Sequence, residues 1–482
     1  MMGSLQSGLA LLPAAAALVA VLGLRASGLT ASVVALLVAV AVWLAGPFVP
    51  PAGVQAAHAL ADAGVLTALV AAMIVPGMMF VEATERTRSR QAIGGIVTAL
   101  RLSPMRAGLL IAIGIGVFIE SLTGMGVSLL VTVPMLAGMF DRRRAIGLAL
   151  VGMSLMPWGA LSISAHIGAK LASLPMPEMT AWISRISGPV AFMLPLLALM
   201  FLPAVRIGEV MLAVACGVAL TAGIAGGASL FGIEIAGVIG GLAVIVLLAL
   251  TAQSRAGLGR ALAAPGLRPY AVLVAAVVAQ KLAVVPLAAR GIAPALATER
   301  VSFHVMTSPG VALIVATVLS ALPAIDGALL RRVAMRAWRP VVSIACFMVS
   351  ARLMIECGAM SALVTAMSGL GLWAALLAVI LLGAIGGFAT GSGVTGNALF
   401  MPSAAATGDS MGVMAMFAAL QNGASGHVAM AALPVTAILL SALDKRIPDD
   451  DRTVMRLGLS LAAVHVVVLA ASGAFWIWWT SR

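Results

Sequence analysis

The chain has 482 residues, of which 62% are hydrophobic and only 9% are charged, and its formal net charge is +12. Soluble domains carry roughly 25% charged residues, so this composition excludes an ordinary soluble protein. No basic run is interleaved with aromatic residues, which argues against a nucleic-acid partner. The positive charge is instead typical of the cytoplasmic loops of a membrane protein.

Apolar runs long enough to cross a hydrocarbon core of about 30 Å recur along the whole chain. Such runs must be helices, because lipid offers no hydrogen-bond partner to an open backbone. The sequence therefore predicts an all-α polytopic membrane protein with about 12 transmembrane helices plus two broken or re-entrant hairpins. Membrane lipid is then an obligatory neighbour, and no oligomeric state is predicted.

The N-terminal half is predicted to cover residues 1–251. Its first apolar run is interpreted as a retained span, because no basic signal-peptide region precedes it. An arginine-rich polar loop after residue 82 leads to the first broken segment, 107–140, which the motif TGMG (123–126) interrupts. The other predicted spans of this half are 8–24, 30–46, 60–82, 145–165, 187–203, 207–223 and 233–251.

Residues 252–268 are predicted to be a basic cytoplasmic linker, and the C-terminal half covers 269–482. The motif TGSGVTGN (390–397) interrupts the second broken segment, 372–408. A long interrupted element is predicted over 411–443, and a further basic loop holds Arg331, Arg332, Arg336 and Arg339. The remaining predicted spans are 269–289, 305–323, 340–358 and 455–479.

The two broken segments are spaced alike. Pro134 and Asp141 follow the first motif at almost the same distances at which Pro402 and Asp409 follow the second, with one insertion or deletion. We interpret this spacing as a faint internal repeat. Broken segments at corresponding places in two halves are a sequence indication of a transporter's binding site.

The distribution of basic residues predicts the orientation. If alternate loops starting with the one after residue 24 are cytoplasmic, they hold 21 of the 28 Lys and Arg residues. This places the N-terminus outside the cell membrane. The first broken segment then enters from the cytoplasm and the second from outside, so the two halves form an inverted repeat, as in alternating-access carriers.

A helix that begins inside the membrane offers free N–H groups and a partial positive charge, which together suit an anion. Glycine lets a ligand approach the backbone closely, although small residues also serve helix packing alone. The short neutral donors at both motifs favour a binding site. The candidate substrate-binding residues are Thr123, Gly124, Gly126, Thr390, Gly391, Ser392, Gly393, Thr395, Asn397, Gln421, Asn422 and Ser425.

Glu120 and His427 are the candidate proton-coupling residues. A charged side chain inside the bilayer costs about 2.5–3.5 kcal/mol on insertion scales, which makes Glu120 a functional candidate, with a purely structural carboxyl as the alternative. His427 can titrate near neutral pH, or it can be an ordinary core residue. Arg352 and Glu356 are four residues apart on one predicted helix and are expected to pair, whereas the role of Lys281 stays open.

Three stretches resemble the lactate permease family. GVFIESLTGMGVSLLVTVPMLAGMF (116–140) is similar to its G-A-F-I/L-E-G-A-x-G-F-G-type signature, and GGFATGSGVTGNALF (386–400) to its G-S-D-T-x-x-N-x-L-F-type signature. QNGASGHVAMAALP (421–434) lies where the family has an N-x-x-G-G-x-x-G-K-M-I-S-P-type stretch. Similar order and spacing extend over about 66–165 and about 340–440.

The resemblance implies a proton symporter of the cell inner membrane for L-lactate, glycolate or a related 2-hydroxy monocarboxylate. Glu120 matches the glutamate of the family's first signature. Gly393 stands where the family has an aspartate, and His427 where it has a lysine, so a divergent member is expected. A different organic anion and sodium coupling are the alternatives, followed by a channel or a membrane-embedded enzyme. No cofactor, metal or catalytic residue is predicted, because no HExxH, paired intramembrane Asp or Ser/His/Asp set stands out.

Overall fold

The computed structural model describes residues 2–50, 52–124, 126–203, 206–254, 256–445, 447, 449–480 and 482. Met125 of the first motif and Arg255 of the predicted linker lie outside these residues. Up to residue 250 the α-helices are α1 (Met2–Leu18), α2 (Gly28–Ala45), α3 (Gly53–Glu85), α4 (Ser89–Leu100), α5 (Pro104–Leu109), α6 (Val117–Thr123), α7 (Val127–Ala137), α8 (Arg142–Met153), α9 (Gly159–Leu171), α10 (Met176–Ala198), α11 (Ile207–Phe231) and α12 (Ala236–Leu250).

The second part of the chain contains α13 (Leu258–Leu262), α14 (Arg268–Ala289), α15 (Pro309–Ala321), α16 (Gly327–Glu356), α17 (Ala359–Ser368), α18 (Leu372–Thr390), α19 (Gly393–Ser410), α20 (Met414–Ala429), α21 (Leu433–Ser441) and α22 (Asp450–Thr480). Two short strands, β1 (Ala295–Ala297) and β2 (Ser302–His304), pair antiparallel. Wider π-helical turns occupy Val19–Gly23 and Leu110–Gly116. Tighter 3-10 turns occupy Met156–Trp158, Leu199–Phe201, Ile233–Ile235, Pro265–Leu267, Val305–Thr307 and Leu322–Ala324.

Among the described residues, 12 helices are long and apolar enough to cross a membrane, and a pair bent by 48° raises the number to 13. The only sheet in the described residues is the hairpin of β1 and β2. The prediction of an all-α polytopic membrane protein with about 12 spans is therefore confirmed. The fold follows from the composition, because a chain this apolar satisfies its backbone only by helical hydrogen bonds.

Both predicted broken segments are broken where the glycine motifs lie. Gly124 and Gly126 have φ angles of 65° and 76° between α6 and α7, and Gly391 has a φ of 67° between α18 and α19. Such angles are in the left-handed region that glycine adopts without a steric penalty. A Cβ atom at Gly124 would lie 2.5 Å from the Cβ of Ala160, so close approach also requires glycine there.

A third break was not anticipated. The predicted continuous span 145–165 is bent by 48° between α8 and the turn Met156–Trp158. Pro157 explains the bend, because proline lacks an N–H donor and disfavours a helical conformation in the residue before it. The surrounding residues are apolar, so hydropathy alone did not reveal this break.

Two loop predictions were wrong. The arginine-rich loop after residue 82 contains helix α4, and the basic stretch 331–339 belongs to α16, which begins at Gly327. In both cases arginine was taken as a loop signal, although long basic side chains are compatible with the ends of membrane helices.

Small residues bring the helices around the second break into contact. A Cβ atom at Gly387 would overlap the carbonyl oxygen of Ser425, and one at Gly396 would overlap the Oγ of Ser425. Helices α18, α19 and α20 therefore approach each other at backbone distance, as small residues permit in membrane bundles. α19 also packs against α9, and α9 against α6, which brings the two broken segments together.

Candidate functional site

A cavity of about 430 Å³ lies between two groups of helices. Its lining comes from helices α1, α2, α3, α15 and α16 and from helices α6, α9, α18, α19 and α21. Both glycine breaks open onto it. The predicted site residues that line it are Glu120, Thr123, Gly124, Thr390, Gly391, Ser392, Gly393 and Thr395.

At the first break, Glu120 holds the helix that follows. Its carboxylate accepts hydrogen bonds from the backbone N–H of Gly126, at 3.2 Å, and from the Oγ of Ser128, at 2.7 Å. Only 1% of Glu120 is exposed. The carboxylate therefore occupies the N-terminal end of α7, where the helix dipole and a free N–H favour a negative group.

At the second break the cap is neutral. Ser392 Oγ accepts from the N–H of Thr395 at 3.4 Å, and Thr390 Oγ1 donates to the carbonyl oxygen of Gly386 at 2.8 Å. Gly393 and Val394 begin helix α19 and line the cavity. The N–H groups in the first turn of a helix have no acceptor within that helix. Within the described residues no carboxylate caps the start of α19, so its partial positive charge remains at the cavity wall.

Helix α9 supplies part of the wall in an unusual conformation. Ala160, Leu161 and Ser162 have φ angles of 48°, 53° and 60°, which form a left-handed turn of non-glycine residues. Each such residue costs roughly 1–2 kcal/mol, and strain of this kind tends to occur at functional sites. Ala160 lies against Gly124, so the strained turn and the first break support each other. Sequence reasoning missed this turn, for which Pro157 was the available signal.

Helix α16 adds a cation that sequence reasoning also missed. Arg339 and Ser343 line the cavity together with Phe347, at the spacing of four that places side chains on one helix face. Two preceding arginines of the same helix, Arg332 and Arg336, both pair with a glutamate of α3. Arg339 makes no ion pair within the described part of the chain.

The other predicted residues of the second half lie behind the cavity wall. Asn397, Gln421, Asn422 and Ser425 form a buried polar cluster between α19 and α20. Asn397 Nδ2 donates to the Oδ1 of Asn422 at 2.8 Å and to the carbonyl oxygen of Ser164 at 2.9 Å. Gln421 Nε2 donates to the carbonyl of Gly396 at 3.3 Å, and Ser425 Oγ to that of Gly393 at 3.4 Å. The cluster fixes the start of α19.

Gly126 and His427 also lie outside the cavity wall. Gly126 begins α7, where an added Cβ would lie 3.2 Å from Ile438. His427 is fully buried, and its Nδ1 lies 2.7 Å from the carbonyl oxygen of Ser154. Its ring centroid is 5.5 Å from that of His465. His427 therefore connects α20 to the third break instead of facing the cavity.

The expected pair of Arg352 and Glu356 is wrong. Arg352 Nη1 lies 3.6 Å from the carboxylate of Asp62, and Glu356 pairs with Arg300 beside the β-hairpin. Cross-helix partners were invisible to reasoning from sequence spacing. Lys281, whose role was open, lies 3.3 Å from the carboxylate of Glu234.

No group of three or more His, Cys, Asp and Glu side chains that could hold a metal occurs in the described residues. A search of curated proteins found no match to the chain. The family model described as L-lactate permease matches residues 272–473, which include the second and third stretches of the resemblance but not 116–140. The predicted resemblance is confirmed over that range: residues 272–473 of this multi-pass membrane protein are similar to the L-lactate permease family.

Proposed function

We propose that the protein takes up L-lactate, glycolate or a related small organic monocarboxylate together with a proton, by alternating access across the cell inner membrane. The observation that carries the proposal is the cavity itself. Both glycine breaks open onto it, and it combines a buried carboxylate, Glu120, with the positive end of α19. Its volume of about 430 Å³ is ample for a small carboxylate.

The substrate carboxylate is assigned to the start of α19. Gly393 and Val394 lie there on the cavity wall, and Thr390 and Thr395 add neutral hydroxyl groups for a 2-hydroxy group. Arg339 of α16 adds a full positive charge to the cavity lining. A helix N-terminus and an unpaired arginine are both suited to a carboxylate.

Glu120 is assigned the proton. It is the carboxyl group of the cavity wall, and it binds the start of α7 through Gly126 and Ser128. Proton transfer to Glu120 would weaken its acceptor role toward these two donors, because a protonated carboxyl keeps fewer free lone pairs. Protonation and the position of α7 are thereby linked.

Alternating access is assigned to two halves, 1–251 and 269–482, joined by the linker 252–268. In each half a broken segment is followed by a helix that ends at a second, proline-associated break, near Pro157 and Pro434. His427 and Ser154 connect these two second breaks. This correspondence supports an inverted repeat whose halves move against each other around the cavity.

The test is uptake of labelled L-lactate, glycolate and a dicarboxylate into proteoliposomes with and without a pH gradient. We expect a monocarboxylate to accumulate when the gradient is imposed and to equilibrate when it is collapsed. Substrate accumulation that follows a sodium gradient instead would show that transport is coupled to sodium and not to protons. Absence of gradient-driven accumulation of any carboxylate would contradict the proposal.

A further inference from the structure

A second ionisable cluster lies behind the cavity, where none of its members lines the wall. His166 of α9 places its Nε2 at 3.2 Å from the Oε1 of Glu234, in the turn that begins the span Ile233–Leu250. Lys281 of α14 lies at 3.3 Å and 3.4 Å from the two carboxylate oxygens. The side chain of Glu234 is only 11% exposed and that of His166 19%. Ionisable residues within membrane segments are functional candidates by default.

The contacts of His166 require one more proton than a neutral imidazole provides. Its Nδ1 lies 3.0 Å from the carbonyl oxygen of Ser162, which can only accept. Its Nε2 faces an oxygen of Glu234, which also only accepts when ionised. A neutral imidazole donates from one nitrogen alone. Both contacts are therefore hydrogen bonds only when an additional proton is present between His166 and Glu234.

Other charged groups do not compete for this proton. Lys281 favours the ionised form of Glu234, which assigns the proton to His166. Glu120 of the adjacent helix α6 is engaged with the start of α7, and Lys170 of α9 is exposed. The last three turns of α11 and all of α12 contain no ionisable side chain.

The cluster is attached to the strained turn of the cavity wall. His166 donates to the carbonyl oxygen of Ser162, and Ser162 Oγ donates to the carbonyl oxygen of Ile233 at 2.8 Å. Ser162 ends the left-handed turn whose first residue, Ala160, lies on the cavity wall against Gly124. A change at His166 is thus transmitted through one turn of chain to the wall beside Glu120.

We propose that His166 and Glu234 form a second proton-binding site of the transporter, which rests on the transport function proposed above. A proton from water binds His166 Nε2 and closes the hydrogen bond to Glu234. When that proton leaves, the lone pair of Nε2 faces the carboxylate, and the contact opens. Proton binding therefore stabilises the contact between α9 and the start of the span Ile233–Leu250. It thereby also stabilises the left-handed turn 160–162.

The test compares wild type, His166→Gln, Glu234→Gln and His58→Gln in proteoliposomes. His58 is exposed and lies outside both sites, so it is a matched control for loss of an imidazole. Counterflow exchange and gradient-driven accumulation of labelled L-lactate are measured against pH. We expect both site variants to retain exchange, to lose most of the pH dependence of transport and to accumulate less substrate per unit gradient, while His58→Gln behaves as wild type.

A direct proton measurement keeps the test independent of variant folding. In wild type labelled with ¹⁵N-histidine, nitrogen NMR should show that the half-buried imidazole of His166 gains a second N–H as the pH falls through the range where transport changes. A wild type that accumulates substrate while the His166 signal does not change with pH would overturn the inference. So would an unchanged pH profile in both site variants. A wild type without any gradient-driven accumulation would instead contradict the proposed function.

Discussion

The two glycine breaks have the same backbone design but different electrostatics. The first is tight, with Gly124 against Ala160, and the helix that follows it is capped by the carboxylate of Glu120. The second is looser, and its helix is capped by the neutral hydroxyl of Ser392. An acid compensates one helix dipole, whereas the other remains available. Under the proposed function, the first helix start holds the transported proton and the second binds the substrate anion.

Alanine at the two break glycines tests the structural side of this comparison and should have the largest effect. At Gly124 the new Cβ would lie 2.5 Å from Ala160 at a φ of 65°, so we expect a loss of about 2–5 kcal/mol of stability and no transport. At Gly391 the nearest atom is 3.3 Å away, and about 1–2 kcal/mol is expected. Thermal unfolding of the detergent-solubilised variants shows which substitution destabilises the protein more. Equal losses of stability would contradict the difference in packing between the two breaks.

Glu120→Gln tests whether the carboxyl group at the first break carries the transported proton. The amide keeps the size of the side chain but cannot carry the proton, so exchange of substrate across the membrane should persist while accumulation against a gradient disappears. Counterflow and pH-driven uptake of L-lactate in the same proteoliposomes give the two readouts. Glu178→Gln, at an exposed position in α10, serves as the control. Unchanged accumulation of substrate in Glu120→Gln would contradict the assignment of the transported proton to Glu120.

Arg339→Gln tests whether the anion side of the cavity extends to α16. Loss of this partly solvated charge should weaken substrate binding by up to about fivefold, since exposed charge interactions contribute up to about 1 kcal/mol. The effect should appear in KM, shrink at high salt and leave the maximal rate nearly unchanged. Arg331→Gln lies on the same helix outside the cavity and should leave KM as in wild type. Equal KM values for the two variants would exclude Arg339 from substrate binding.

Ser392→Ala should have the smallest effect. The hydrogen bond from Thr395 to Ser392 is long, at 3.4 Å, so its loss should cost about 0.5 kcal/mol, at the low end for a helix cap. Ser128→Ala at the first break removes the 2.7 Å hydrogen bond to the buried Glu120 and should cost more. Thermal unfolding of both variants ranks the two caps. A larger loss in Ser392→Ala would reverse the assignment of the stronger cap to the first break.

Sequence reasoning recovered the features that depend on local pattern. Apolar length identified most of the spans, and glycine with short polar residues located both breaks and Glu120. It missed features that depend on contacts between distant segments, such as the pairing of Arg352 with Asp62 and of Glu234 with His166. The left-handed turn at Ala160 was also missed, because only its packing against Gly124 makes that conformation tolerable. Arg339 was hidden by its basic neighbours, which belong to a helix and not a loop.

The most direct test of the central claim is a structure of the protein determined with a transported monocarboxylate bound. We expect the carboxylate to lie within hydrogen-bond distance of the N–H groups of Gly393 and Val394, inside the cavity that both breaks share. Density for the ligand at a place that neither break lines would contradict it.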